Sequence, residues 1–324
     1  MKFHWSQTMN KRSMIRLALI GCGQHAESGH AIPLARYQSE HPGAIALVAA
    51  CDIRPERAQR FCERFGFKAS YGNVDDLLSH EEIDGCIAVV PPERISETGI
   101  LLLDRHMPCV VEKPLGSVLA EVEALAKKAV ESGTPHMVSV NRRFMPFLNR
   151  AMEWAGHAGP IRYVHCTLAR HARVEREFIW ATAVHAVDTL RYIAGEVERF
   201  ECRTMTGGAT AWYAIDLHFQ NGVQGRIDVQ PTTGMVEETY NLCGEDFHVS
   251  VTCPFGRKRG WLAYRGGMLV TEESASADMA EELLNGCYDE TAAFIRALRD
   301  RSAPKPSIAH VVPSVQICMS IAKG

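Results

Sequence analysis

The chain has 324 residues, too many for one ordinary core, and a prior of roughly 150 residues per domain predicts two. Its 46% hydrophobic and 23% charged content is that of a globular protein, and a net charge of −3 gives no reason to expect nucleic acid or an anionic membrane as partner. The eleven cysteines are an odd number, and Cys22, Cys51, Cys86 and Cys109 lie inside apolar runs, so they read as buried free thiols. No C-x-x-C or H-x3-H spacing occurs, and no metal site is expected.

Residues 1–13 are polar and without periodicity, and the apolar run after them is too short for a signal sequence or a membrane span. A cytoplasmic protein with a flexible N-terminal segment is the expectation. The run Ile15–Ile20 reads as a buried parallel strand that leads into Gly21-x-Gly23-x-x-Ala26. Gly21 allows the tight turn, Gly23 lets the backbone approach a pyrophosphate, and Ala26 still permits a helix to pack closely on the strand. Gln24 and His25 open that helix, whose free N–H groups and positive dipole end face the phosphates. A second apolar run, Ile45–Cys51, ends in Asp52, placed to accept hydrogen bonds from a ribose. The loop over residues 39–43 absorbs the extra length between the two motifs. Together Gly21, Gly23, Gln24, His25 and Asp52 predict a dinucleotide site. Asp52 favours NAD because it would repel a 2′-phosphate; Arg54 could pair with that phosphate and keeps NADP as the alternative.

Further on, Ala58, Phe61, Cys62 and Phe65 recur at helical spacing over Pro55–Phe65, with Gly66 as the stop and the charges as a solvated face. Asn73 caps a short helix to Ser79. Residues 83–90 form a third strand closed by Pro91 and Pro92, and a helix covers 96–105. Residues 108–112 are another buried strand, followed at once by Lys113 and Pro114. Ser117 is the expected cap of an amphipathic helix reaching Ser132, with Val118, Val122, Leu125, Ala126 and Ala129 inward. With a further strand over 136–141, this alternation predicts a doubly wound parallel (Rossmann) sheet over residues 14–142.

From Ile161 strand-like runs follow one another: 161–171, 197–206, 210–219, 223–229, 238–243, 247–252, 261–264 and 268–271. Turns at Gln220-Asn221-Gly222 and Arg265-Gly266-Gly267 make hairpins of them. One helix, Val184–Ala194, ends at Gly195; two close the chain, over 281–299 and from 308 or 313 to 322. The prediction is a second, α+β domain over residues 143–324 with a large, mostly antiparallel open sheet, its closing helix a candidate to pack back on the first domain.

Lys113 stands at a strand's carboxyl end, where ligands of open α/β sheets bind, between Glu112 and Pro114. Close to a nicotinamide and partly desolvated, its ammonium is disfavoured and it can act as acid or base. The segments Gly21–Ala26, Asp52, Pro91-Pro92, Glu112-Lys113-Pro114, Arg142-Arg143-Phe144 and Ala183 to Asp188 resemble the glucose–fructose oxidoreductase, inositol dehydrogenase and rhizopine-catabolism (Gfo/Idh/MocA) family of NAD(P)-dependent oxidoreductases. The resemblance covers nearly all of the chain. It implies that Lys113 contacts the reacting hydroxyl, that His185 transfers the proton, that Arg143 contacts substrate and that the Lys113–Pro114 peptide is cis. Pro91, Glu112 and Lys113 join the cofactor-binding set. Asp188, three residues after His185 on the same helix face, is a candidate partner for it or for the substrate. Arg170, His171, Arg173 and Arg176 suit a carboxylate or phosphate, or equally a solvated turn.

Two positions depart from the family pattern. Members that oxidise sugars and cyclitols usually carry Asp four residues before the histidine, expected one turn away on the same face; this chain has Ala181. They often have a histidine where Ile95 stands. The expected function is hydride transfer between the nicotinamide and a secondary alcohol or ketone of a sugar, cyclitol or sugar derivative. An imine- or tetrapyrrole-type reductase, or a cofactor-binding regulator without catalysis, are the alternatives. Besides the small-molecule substrate, the expected partner is a second copy: one face of the second sheet should be open, with Trp212, Tyr213, Phe219, Phe247 and Trp261 covering it in a homodimer or homotetramer.

Overall fold

A computed structural model describes residues 14–323, so the N-terminal segment read as flexible lies outside the described residues. The chain forms two compact units: residues up to Val140 with Cys287–Pro313, and Asn141–Gly286 with the residues from Ser314 onward. The division differs from the expected cut at residue 142, because 27 residues late in the chain return to the first unit.

In the first unit β1 (Ile15–Ile20), β2 (Ile45–Cys51), β3 (Ala69–Tyr71), β4 (Gly85–Ala88), β5 (Cys109–Glu112) and β6 (His136–Ser139) make one parallel sheet in the order β3-β2-β1-β4-β5-β6. This is the doubly wound order whose crevice opens at the carboxyl ends of β1 and β4, where the winding reverses. The connections are α1 (Gln24–Ala26), a π-helical turn (Glu27–Ala31), α2 (Ile32–Glu40), α3 (Pro55–Phe65), α4 (Val74–His80), α5 (Pro92–Asp104) and α6 (Leu119–Ser132). α3 stops at left-handed Gly66, and the Asn73 side chain accepts the Asp76 N–H, as the caps predict. α5 starts four residues before the expected position, because Pro92 in the first turn needs no N–H partner. At α6 Ser117 does not cap: Val118 holds that place and is exposed rather than inward, and the Glu121 carboxylate accepts the Ser117 N–H at 2.7 Å.

The second unit opens with a 3₁₀ turn (Asn141–Phe144) and α7 (Pro146–Ala158), a helix the sequence reading missed. Then come β7 (Ile161–Ala169), α8 (Phe178–Ala181), α9 (Val184–Ala194), β8 (Val197–Met205), β9 (Trp212–Phe219), β10 (Gln224–Gln230), β11 (Glu237–Gly244), β12 (Phe247–Thr252), β13 (Gly260–Arg265), β14 (Met268–Ser274) and α10 (Glu281–Leu284). The eight strands lie in the order β14-β13-β12-β11-β7-β10-β9-β8, antiparallel except for the parallel pair of β7 and β10. Alternation along each strand gives the sheet two unlike faces. Val164, Cys166, Leu168, Ile227, Val249 and Val251 are buried on the face that α7 and α9 cover. Phe219, Phe247 and Trp261 share this parity and are buried as well, which corrects the expectation that they cover the open face. That open face is polar and charged instead: Arg226 pairs with Asp228 (2.8 Å) and Asp216 (3.3 Å), and His165 Nε2 meets Asp228 at 2.8 Å.

α11 (Cys287–Asp300) and the start of α12 (Ile308–Lys323) complete the first unit. There Ser139 Oγ donates to Glu290 Oε2 at 2.8 Å, and the Val138 N–H donates to the Pro306 carbonyl at 2.8 Å, extending the edge of β6.

Candidate active site

Gly21 leaves β1 with φ +92°, and a Cβ there would stand 2.0 Å from the Val89 carbonyl oxygen, so both conformation and space require glycine. Gly23 is different: its backbone is extended and a Cβ would meet nothing within 4 Å. Its lack of a side chain serves the space outside the protein, where a pyrophosphate would approach. Beside it lies a cavity of about 400 Å³ lined by Gly23, Gln24, Arg57, Arg60, Phe61 and Arg64. Arg64 pairs with Glu27 at 2.6 Å, whereas Arg57 and Arg60 have no ion pair among the described residues. Two unneutralised guanidinium groups next to a helix start suit a diphosphate. The sequence reading took the charges of α3 for a solvated face; Arg57 and Arg60 were legible only from α3 following Asp52, which turns its first turns toward the glycines. Asp52 Oδ2 accepts the Cys22 N–H and Oδ1 the Arg54 N–H, both at 2.9 Å. The carboxylate is thus fixed against the glycine turn, with the exposed Arg54 guanidinium 3.9 Å from it.

Lys113 follows β5 directly, half-buried, and the peptide to Pro114 is cis. With neighbouring strands about 4.8 Å apart, β5 lies about 10 Å from β1, within the span of one dinucleotide. Pro91 stands exposed between them, at the N-terminus of α5. Glu112 is buried and its Oε1 meets His25 Nε2 at 3.1 Å and His30 Nε2 at 2.7 Å. Burial would raise the Glu112 carboxyl, but the charges and hydrogen bonds of His25 and His30 outweigh it and hold the group well below the usual carboxylate range. Ile95, in place of the family's frequent histidine, is buried in the core.

In the second unit α9 buries both His185 and Asp188. Asp188 is bound by other groups: Arg143 grips it with two hydrogen bonds, Nε to Oδ2 at 2.7 Å and Nη2 to Oδ1 at 2.8 Å, and Ser314 Oγ donates to Oδ1 at 3.0 Å. Asp188 therefore orients Arg143, which stacks over the Tyr192 ring and keeps Nη1 without a hydrogen-bond partner among the described residues. Ala181 ends α8, and the chain breaks at Thr182 and Ala183 before α9 begins, so Ala181 and His185 are not one turn apart on a single helix. Arg170, offered for an anion, is spent on a buried carboxylate: Glu238 pairs with Arg170 and, at 3.0 Å, with Arg142, and accepts the Tyr240 hydroxyl. Burial would push the Glu238 carboxyl up; the two guanidinium charges and these hydrogen bonds bring it down to about 2. His171 is exposed, with Nδ1 3.2 Å from the Thr233 carbonyl, and Arg173 pairs with Glu175.

A doubly wound sheet with a glycine turn, a carboxylate fixed against that turn and an arginine-lined cavity beside it suits a dinucleotide, and the residues present fit NAD. Residues 15–141 match the Gfo/Idh/MocA model, described as an oxidoreductase family with an NAD-binding Rossmann fold. It is similar to 4-carboxy-2-hydroxymuconate-6-semialdehyde dehydrogenase of Sphingobium sp., 23% identical over 324 residues, covering 94% of this chain and 96% of that protein. D-apiose dehydrogenase of Paraburkholderia graminis is 27% identical over 201 residues, 58% of this chain and 52% of that one. Among solved structures, a dehydrogenase from Chromobacterium violaceum matches with a TM-score of 0.85 over 96% of this chain and 95% of its own, at 19% identity, a likeness of fold.

Proposed function

We propose that this chain is an NAD(H)-dependent dehydrogenase interconverting a secondary alcohol and a ketone of a sugar, cyclitol or sugar derivative. The observation that carries the reading is Lys113, half-buried at the carboxyl end of β5, two strands from the glycine turn of β1. NAD, when bound, supplies the hydride acceptor. Lys113 Nζ and His185 are assigned the hydroxyl proton, and Arg143, fixed by Asp188, offers Nη1 to a substrate oxygen. Gly21, Gly23, Gln24, Arg57 and Arg60 are assigned the pyrophosphate, and Asp52 the ribose, with NAD preferred over NADP.

A second reading, a substrate bearing a carboxylate, is favoured by the near full-length likeness to a carboxylated semialdehyde's dehydrogenase and by Arg143 Nη1. The test is a screen of the purified protein with NAD⁺ or NADH against polyols, ketoses, hydroxy acids, semialdehydes and imines, followed by NADH absorbance. Turnover of neutral polyols supports the first reading, and turnover confined to acids the second. Turnover of imines alone, or tight NADH binding with no turnover, overturns both in favour of a reductase or a regulator.

The protein is proposed to assemble as a homodimer or homotetramer through the outer face of the eight-stranded sheet, whose charged pairs suit a wet, polar interface. No helix among the described residues is long and apolar enough to cross a membrane. The eleven cysteines are all free thiols, which suits a reducing compartment, and the cytoplasm is the proposed location.

A further inference from the structure

His25 and His30 are five residues apart, and on a regular α-helix that spacing puts two side chains about 140° apart, facing different ways. Here the helix changes after His25 into a turn of π-helix, Glu27–Ala31, which contains His30 and whose wider i to i+5 repeat brings such residues onto one face. The consequence is a cluster: His25 Nε2, His30 Nε2 and a Glu112 oxygen all lie within 4.8 Å of one another. His30 and Glu112 are buried, while the His25 side chain is 58% exposed, so the cluster is walled on one side and open to solvent on the other.

We propose that His25, His30 and Glu112 form a binding site for a divalent transition-metal ion of the zinc class, with a fourth position open on the His25 side. Two imidazole nitrogens and a carboxylate are the donor set of open zinc sites. Bonds of ~2.0–2.2 Å in tetrahedral geometry separate donor atoms by about 3.3 Å. The 3.1 Å gap from His25 to Glu112 is already close to this, and the 2.7 Å gap from His30 must widen by roughly half an ångström. Binding requires each Nε2 to turn its lone pair to the ion, so the protons that bridge the two rings to Glu112 move to Nδ1 or leave to solvent. The proposal does not depend on which substrate the enzyme oxidises, or on its being an enzyme.

The test uses the full chain, stripped of metal with a chelator and titrated calorimetrically with Zn²⁺ alone, without NAD or substrate. One Zn²⁺ per chain is expected. His25→Ala, at an exposed position that leaves folding intact, should weaken binding by more than the ~10–100-fold that loss of an outer-shell partner costs. The pair of Cys243 Sγ and His248 Nδ1, 3.3 Å apart, is the competing site, so Cys243→Ser should leave the affinity unchanged. Co²⁺ bound to the wild type should show no thiolate charge-transfer band. Absence of stoichiometric binding, equal affinity in His25→Ala, or a thiolate band overturns the proposal.

Discussion

The two glycines of the turn after β1 make opposite predictions from the same substitution. At Gly21 an added methyl would lie 2.0 Å from the Val89 carbonyl oxygen on a backbone with φ +92°. The left-handed conformation costs roughly 1–2 kcal/mol and overpacking typically ~1–3 kcal/mol, so Gly21→Ala should lose about 2–5 kcal/mol. In a unit of this size each kcal/mol lowers Tm by ~2–4 °C, which predicts a fall of roughly 4–20 °C. At Gly23 the methyl meets nothing within 4 Å and φ −87° is ordinary for alanine. Gly23→Ala should hold its Tm within a degree or two, or gain slightly from the stiffer unfolded chain. Its defect should appear only when NADH is titrated by fluorescence: with the backbone kept from the pyrophosphate, affinity should drop at least ~10-fold, or about 1.4 kcal/mol. If Gly23→Ala binds NADH like the wild type, the pyrophosphate does not lie over that turn and the placement of the cofactor is wrong.

Lys113→Ala should lower turnover by ~10²–10⁴-fold while NADH affinity changes far less, since the glycine turn and Asp52 remain; an equal loss in both would make Lys113 a cofactor ligand only. If His185 shares the proton, Lys113→Ala and His185→Ala should combine to less than the product of their separate effects, as measured by steady-state kinetics. Glu238 is lower in the folded than in the unfolded chain, so its contribution is complete above the ordinary value of 4.5 and lost as pH falls toward 2. It amounts to roughly 3 kcal/mol at neutral pH. Urea unfolding between pH 6 and 3 should show this loss in the wild type and not in Glu238→Gln; parallel curves would refute it. Light scattering at micromolar concentration should return a multiple of the chain mass, and a monomer of 35.9 kDa would remove the sheet-to-sheet assembly.

Local chemistry was the part most legible in the sequence. The bounds of α3, α9 and β12 were read to the residue, because Pro55, Gly66, Gly195 and the alternation over Phe247–Thr252 are signals confined to a few neighbours. The helix over Pro146–Ala158 was legible too, with Phe147, Leu148, Ala151 and Ala155 on one buried face, but was overlooked between two domains. What resisted reading was partnership. That Asp188 serves Arg143, that Arg170 serves Glu238, and that Phe219 and Trp261 point inward depend on which strands and turns meet after folding. The clustering of His25 with His30 depends on a π-helical turn, and a reading based on the α-helical period assigns them to different faces.

The return of residues 287–313 to the first unit bears on how the molecule is made. β6 is the edge strand of the parallel sheet, and its hydrogen-bonding partner beyond Val138 is the Pro306 carbonyl, supplied more than 160 residues later. During synthesis the first six strands therefore emerge before the segment that completes their edge, and that edge stays raw while residues 141–286 are translated. An exposed edge of this kind is a template for pairing with another chain. The vulnerable interval for this protein lies in the nascent chain between its two visits to the dinucleotide fold, and cutting the gene at the apparent domain boundary would make that interval permanent.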